Sequence, residues 1–121
     1  MAFIAQRAAV LKLPRATSLR LQLVAEELFT NTFRHGSGAD GAPPVTVRVE
    51  PAGEDVELVY EDGEPAWNPL LQPLPLPLEQ RPVGGLGSLL VSAMAERSKY
   101  ERVQERNRVR VWVRVEAVES P

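Results

Sequence analysis

The sequence predicts an α+β fold, a two-layer sandwich in which helices cover one face of a mainly antiparallel, mixed sheet. The order of elements is the first observation: helix, helix, strand, strand, long loop, helix, strand, strand. The second is that only a short turn joins the strands of each pair, so the two partners run antiparallel. Helices packed on one face of such a sheet bury this pattern best.

Length and composition limit the function classes. The 121 residues form one domain by the usual size prior, and 44% hydrophobic with 25% charged residues is ordinary for a globular protein. A net charge of −2 gives no reason to expect a nucleic acid or a membrane as partner. The absence of cysteine excludes disulfides, a thiol nucleophile and a thiolate metal site. With no export signal and no apolar run of about 20 residues, we expect a cytoplasmic protein.

Two helices are predicted first, separated by a proline. Residues from about Phe3 to Lys12 form a short helix that Leu13-Pro14 ends, and a longer helix runs from about Arg15 to His35. In the longer helix, positions 21, 25, 28 and 32 share one side at helical period. The turn-rich segment 36–44 follows as a loop.

Strands and a long loop occupy the middle of the chain. Val45–Glu50 alternates apolar and polar residues, Pro51–Asp55 is predicted as a turn, and Val56–Tyr60 returns as the second strand. Six of the 11 prolines then lie between Glu64 and Pro82. Neither a helix nor an inner strand tolerates that density, so we expect a lid over a functional site.

The last part of the chain predicts a helix and a hairpin. A glycine turn at 84–87 opens a helix to about Arg97, and strand 98–103 leads through a polar turn at 105–107 into strand 109–115. Valines at 109, 111, 113 and 115 alternate so regularly that this face is predicted to be core. Arg110, Trp112 and Arg114 are predicted to face the other way.

The longer helix carries the first candidate chemistry. Glu27 and Asn31 are one turn apart, so their side chains project into the same space. Asparagine is unfavourable inside a helix because its side chain competes with the backbone for hydrogen bonds. Its presence beside a glutamate suggests a role other than folding, although such a pair on an exposed face is often only solvated. His35 is interpreted first as a residue of the helix end.

Two further motifs are weak alone. Gly84, Gly85 and Gly87, with Leu86 between them, open a helix as a phosphate cradle does, yet a flexible helix start explains them equally well. They match neither the P-loop nor the dinucleotide fingerprint. Arg81 is either a phosphate clamp or a solvated charge. Asp62-Gly63 is either a turn or a strand-end carboxylate that accepts a hydrogen bond from a ligand's amino group.

Taken together, these motifs resemble the GHKL ATP-binding fold of histidine kinases, gyrase-type ATPases and Hsp90. Segment 24–36 resembles the N box of the bacterial anti-sigma factor serine kinases, and segment 81–91 resembles their G2 box. Tyr100-Glu-Arg and Asn107-Arg-Val-Arg-Val resemble their closing hairpin. The likeness runs from about Pro14 to Val115.

The resemblance implies a function with ATP and Mg²⁺ as cofactors. The protein would transfer the γ-phosphate of ATP to a serine of an antagonist (anti-anti-sigma, STAS-type) protein, bind a sigma factor and form a homodimer. The implied roles are Glu27 as catalytic base, Asn31 as Mg²⁺ ligand, Asp62 as reader of the adenine amino group, and Arg81, Gly84, Gly85, Leu86 and Gly87 as phosphate binders.

Two departures from the family pattern leave alternatives open. The adenine motif is Asp-x-Gly, and an alignment on Asp62 puts Glu64 at the second glycine; an alignment on Gly63 makes Glu61 replace the aspartate and requires an inserted residue. The family's first strand is also missing, which predicts a bare sheet edge. A degenerate member that acts only by protein contact is therefore an alternative. A two-component histidine kinase fits less well, since its phosphoacceptor hairpin is absent.

Overall fold

The computed structural model describes residues 2–35, 45–70, 91 and 93–115, with the side chains of 33–35 left out. Its helices and strands, in chain order, are α1 (Ala2–Val10), α2 (Arg15–His35), β1 (Thr46–Ala52), β2 (Asp55–Asp62), β3 (Arg97–Val103) and β4 (Arg106–Arg114). The sheet has the order β1-β2-β4-β3, and every neighbouring pair of these four strands is antiparallel. Both helices pack on one face of this sheet, so the predicted two-layer α+β sandwich is confirmed.

A hydrogen-bonded cap ends α1 and starts α2. The amide of Leu13 donates to the carbonyl of Ala8 at 2.9 Å, and that of Lys12 donates to Ala9 at 3.1 Å. This is the Schellman pattern, in which the residue after the helix takes a left-handed conformation. Lys12 has a φ of 57°. Pro14 then accepts the first bond of α2 from Ser18 at 3.0 Å, where its missing N–H costs nothing.

The core lies between α2 and the inner face of the sheet. On α2, Leu21, Ala25 and Leu28 are buried and Thr32 is half-buried, which confirms the predicted stripe. The sheet contributes side chains that alternate along its strands, namely Val49, Val56, Leu58, Tyr60, Val109, Val111 and Val113. The predicted core face of β4 is thus confirmed at Val109, Val111 and Val113.

Three predicted boundaries are wrong. Pro51 and Ala52 belong to β1, and the turn is only Gly53-Glu54, with Gly53 at a φ of 66°. An edge strand accommodates Pro51 because its nitrogen need not donate to a neighbouring strand. Arg97, predicted to end the third helix, begins β3, and the last described helical residue before it is Met94.

The third wrong boundary concerns the last hairpin. Gln104 and Glu105 have φ values of 49° and 63°, so these two residues alone make the turn. Asn107, predicted to lie in the turn, is therefore the second residue of β4.

The edge at β1 is not bare. The Arg7 guanidinium of α1 donates from Nε to the carbonyl of Val49 at 2.9 Å and also pairs with Glu50 at 3.0 Å. Arg7 occupies a carbonyl of β1 and Pro51 has no N–H to donate, so both residues disfavour pairing of this edge with another strand. In segments 2–35 and 45–70 no strand precedes β1, and α1 packs against α2 and β1 on the face of the sheet that carries the helices.

The outer face of the sheet carries opposite charges on neighbouring strands. Acidic residues of β2 pair with arginines of β4, as in Arg110–Glu57 at 2.6 Å and Arg114–Asp55 at 2.8 Å. Two guanidinium groups lie over the Trp112 ring, that of Arg97 at 4.2 Å and that of Arg110 at 4.8 Å from the ring centroid. The predicted outward direction of Arg110, Trp112 and Arg114 is confirmed. Single surface pairs stabilise little, but a ladder of them disfavours a shifted register.

No described helix is both long and apolar enough to cross a membrane.

The leucines of α2 provide a test of the packing. Leu21 is fully buried, whereas Leu23, half a turn away, is 42% exposed. We expect Leu21→Ala to lower the free energy of unfolding by about 2–5 kcal/mol, because it leaves a cavity in the core. Leu23→Ala, the matched control, should cost less than about 1 kcal/mol. Urea denaturation of both variants measures this, and equal losses would contradict the packing described here.

Candidate functional site

The candidate site lies where the second half of α2 covers the end of β2. Side chains alternate along β2, so its last two residues face opposite sides of the sheet. Asp62 is 8% exposed and faces α2, while Glu61 faces outward and accepts from Arg108 at 2.8 Å and Arg106 at 3.3 Å. Of the two carboxylates that the alignments left open, only Asp62 points toward the helix that carries Glu27 and Asn31.

Glu61 belongs to the outer ladder of ion pairs. Its partial burial alone would raise the pKa, but the hydrogen bonds from Arg108 and Arg106 outweigh that effect and lower the pKa. A third arginine, Arg48, lies 3.9 Å away. Glu61 is therefore engaged on the face that the helices do not cover.

A chain of hydroxyl groups joins α2 to Asp62. Thr32 Oγ1 lies 2.5 Å from the Tyr60 hydroxyl and 3.0 Å from Asp62 Oδ2. It also lies 3.1 Å from the carbonyl of Leu28. Because a carboxylate oxygen only accepts and Thr32 has one proton, the consistent direction is donation from Tyr60 to Thr32 and from Thr32 to Asp62.

The same arrangement perturbs Tyr60. Burial raises the pKa of this phenol to about 12; the Thr32 hydroxyl acts in the opposite direction, because it can turn to donate to the ionised phenolate, and the negative charge of Asp62 raises the pKa further. Tyr60 therefore stays protonated at neutral pH and acts as a fixed donor at the bottom of the site.

Asn107 of β4 holds the other oxygen of Asp62. Its Nδ2 donates to Asp62 Oδ1 at 2.9 Å, and its register places it opposite Asp62 in the sheet. The amide of Glu64 donates to the same oxygen at 3.1 Å. Sequence reasoning missed Asn107, yet position 107 has the same parity as the core valines at 109, 111 and 113. A polar residue at an inward position of so regular a strand was the available signal.

Asn31 and Glu27 lie on α2 beside this network. Asn31 is 4% exposed, and its Oδ1 is buried with no hydrogen-bond donor reaching it from the described part of the chain. Glu27 lies one turn earlier, about 6 Å along the axis, and its Oε1 is buried. Since Thr32 directly follows Asn31 and bonds Asp62, the structure brings Glu27, Asn31 and Asp62 to the same end of the domain.

The buried oxygen of Asn31 suits a hard cation. A buried acceptor without a partner is costly, and amide oxygens are ligands that Mg²⁺ accepts. Among the described residues, no three acidic or histidine side chains cluster to hold a metal. A cation at Asn31 would take its other ligands from outside these side chains, as Mg²⁺ commonly does from water and nucleotide phosphates.

Glu64 is buried directly after the Asp62-Gly63 step. It is 8% exposed, and its carbonyl accepts from Arg102 at 2.7 Å and from Asn107 at 3.2 Å. The segment that leads toward the predicted lid is thus tied to β3 and β4 through its backbone.

The remaining predicted site residues lie outside the described residues. These are Arg81, Gly84, Gly85, Leu86 and Gly87. The side chain of His35 is likewise outside the described set, and the predicted lid lies largely within 71–90. Their roles stay predictions.

Comparison with known families gives one match. The family described as the histidine kinase-like ATPase domain matches residues 1–113, nearly the whole chain. No curated protein matches the chain.

Tyr60 offers a test of the buried hydroxyl chain. The wild-type protein should contain a phenol that ionises only near pH 12, and Tyr60→Phe should remove that transition. The pKa of Tyr60 in the folded protein lies above the ordinary value of 10.0. The protonated phenol therefore contributes its full stabilisation of the folded state below pH 10, and this contribution is lost as the pH rises towards 12. The difference between the ultraviolet phenolate titrations of the two proteins measures this. A difference midpoint near 10 would contradict burial of Tyr60 beside Asp62.

Proposed function

The chain belongs to the histidine kinase-like ATPase domain family, and we propose that it is an ATP-binding anti-sigma regulatory factor with serine-protein kinase activity. It transfers the γ-phosphate of ATP to a serine of a small antagonist protein of the STAS type, and it binds a sigma factor. The observation that carries the nucleotide part is the buried Oδ1 of Asn31, to which none of the described residues donates a hydrogen bond, beside the Thr32–Asp62 contact. The sigma factor, the antagonist and a homodimer come from the resemblance to the anti-sigma kinases, and a cytoplasmic setting is proposed with them.

Asp62 supplies the nucleobase contact in this proposal. Its carboxylate lies at the inner end of β2, and three donors from two other segments and its own loop fix its orientation. A fixed acceptor matches the exocyclic amino group of adenine and rejects a carbonyl at the same position.

Asn31 and Glu27 supply the chemistry of transfer. Asn31 would hold Mg²⁺ through Oδ1, and the ion would neutralise charge on the phosphates. Glu27 accepts the proton of the attacking serine hydroxyl as the new phosphate ester bond forms. The bond from the γ-phosphorus to the bridging oxygen breaks, and ADP leaves with that oxygen. Arg81 and the amides of 84–87 would bind the phosphates.

Nucleotide binding and transfer separate the roles of Glu27 and Asn31. We expect the wild-type protein to gain thermal stability with ATP and Mg²⁺, since a ligand selective for the native state raises the melting temperature. Asn31→Ala should abolish the Mg²⁺ dependence, whereas Asn68→Ala should retain it.

Glu27→Gln should still bind ATP, but its rate of phosphate transfer to a STAS-type antagonist should fall about 10²–10⁴-fold, the usual contribution of a general base. Glu26→Gln, at an exposed neighbour, is its control.

Two results would reject the kinase proposal. One is no saturable binding at millimolar ATP with Mg²⁺. The other is equal transfer by Glu27→Gln and Glu26→Gln.

A second candidate function is a family member without catalysis that acts by protein contact. Glu64 favours it, because a buried carboxylate two residues after Asp62 would crowd a nucleotide and repel its phosphates. In the kinases that the chain resembles, the adenine motif Asp-x-Gly has a glycine at the position of Glu64, and glycine has no side chain to obstruct the nucleotide.

Glycine at position 64 distinguishes the two candidates. If the wild-type pocket is obstructed, Glu64→Gly should raise the ATP affinity at least tenfold, and Glu64→Gln should reproduce only the part due to charge. If the pocket already accepts ATP, both variants should stay within about threefold of the wild type. Isothermal titration calorimetry with ATP and Mg²⁺ measures the three affinities; a gain of tenfold or more favours the protein-contact candidate.

A further inference from the structure

Asn107 is the most densely hydrogen-bonded side chain at the candidate site. It is 3% exposed and lies opposite Asp62 of β2 on one side and Arg102 of β3 on the other. It therefore sits between the strand that ends in the site and the strand at the sheet edge.

The partners of Asn107 determine which way its amide points. Its Oδ1 accepts from the Tyr100 hydroxyl at 2.6 Å, from Arg102 at 3.0 Å and from the amide of Trp67 at 3.4 Å. Within the described segments its Nδ2 faces acceptors, which are Asp62 Oδ1 at 2.9 Å and the carbonyls of Pro65 at 3.0 Å and Glu64 at 3.2 Å. A flipped amide would set donors against donors on one side and acceptors against acceptors on the other.

This orientation leaves Asp62 with one open acceptor position. A carboxylate offers about four lone-pair sites, two on each oxygen. Asn107 and the amide of Glu64 fill those of Oδ1, and Thr32 fills one on Oδ2. Among the described residues no donor fills the second site on Oδ2, which suits a single N–H of an amino group.

We propose that Asn107 is a positioning residue that orients the Asp62 carboxylate and thereby sets the preference of the site for an amino-bearing purine. It acts through Asp62 and does not touch the nucleotide. The inference rests on the proposed ATP-binding function and deepens it by assigning base selectivity to β4.

A merely structural role for Asn107 makes a different prediction. The bonds to Glu64 and Pro65 tie the loop to the sheet, so Asn107→Ala will destabilise the protein whether or not Asp62 reads a base. Melting temperature alone therefore does not test the proposal. Arg102→Ala is the matched control, because Arg102 donates to the same Glu64 carbonyl and its other bond goes to Asn107, not to Asp62.

The decisive experiment compares ATP with ITP, whose base has a carbonyl in place of the amino group. Dissociation constants with Mg²⁺ are measured for the wild type, Asn107→Ala, Asp62→Ala, the double variant and Arg102→Ala. We expect the wild type to prefer ATP at least tenfold, and Asn107→Ala to lower that preference about tenfold, the effect of one hydrogen bond to a charged group. The double variant should show the same preference as Asp62→Ala. Arg102→Ala should keep the preference within threefold, because Tyr100 and the amide of Trp67 still hold Asn107 Oδ1.

A small polar variant keeps the test available if Asn107→Ala does not fold. Asn107→Ser keeps a neutral polar group at this buried position, but its single hydroxyl cannot replace both the amide oxygen that accepts from Tyr100 and Arg102 and the amide nitrogen that donates to Asp62. It should lower the preference for ATP as Asn107→Ala does.

Two outcomes overturn the proposal in distinguishable ways. If the wild type binds neither nucleotide, the proposed function and the role of Asn107 both fail. If the wild type prefers ATP but Asn107 variants weaken ATP and ITP in parallel, or add their loss to that of Asp62→Ala, only the positioning role fails.

Discussion

The carboxylate of Asp62 is the point on which the described site depends. A buried charge is tolerated only when donors replace the water it has lost. Here the donors come from Thr32 of α2, from Asn107 of β4 and from the backbone of Glu64. All three segments must be in position at once, so satisfying one side chain fixes the helix, the central strands and the start of the loop relative to one another.

Alternation along β2 separates two acidic residues with different roles. Glu61 and Asp62 are neighbours in sequence, yet one joins the arginine ladder of the outer face and the other enters the inner network. A slip of one residue would exchange them. The outer ladder, with Arg110 on Glu57 and Arg114 on Asp55, disfavours that slip. The charges on the face opposite the site thus help to decide which carboxylate reaches it.

The parts of this structure that follow from local pattern were predictable, and the parts that depend on distant pairs were not. The bounds of α2, its buried stripe and the core face of β4 follow from periodicity. The Thr32–Asp62 and Asn107–Asp62 bonds join residues 30 and 45 positions apart, and no local pattern specifies them. Asn107 has the parity of the inward valines of β4, but the turn predicted at 105–107 included it, so this signal was not used. Parity alone would not have identified Asp62 as its partner.

Neighbouring residues of α2 differ in a way that bears on the choice between catalysis and protein contact. Thr32 has partners for its hydroxyl, whereas Asn31 keeps a buried Oδ1 with none among the described residues. A buried oxygen without a hydrogen bond lowers the stability of the fold by about 1–3 kcal/mol. Asparagine also has a lower helix propensity than alanine or leucine, which lowers the stability further. A helix that served only packing and protein contact would be more stable with an apolar residue there. The cost is offset if a ligand supplies the missing partner. Asn31 therefore favours a nucleotide and its cation over the protein-contact candidate, whereas Glu64 favours the protein-contact candidate.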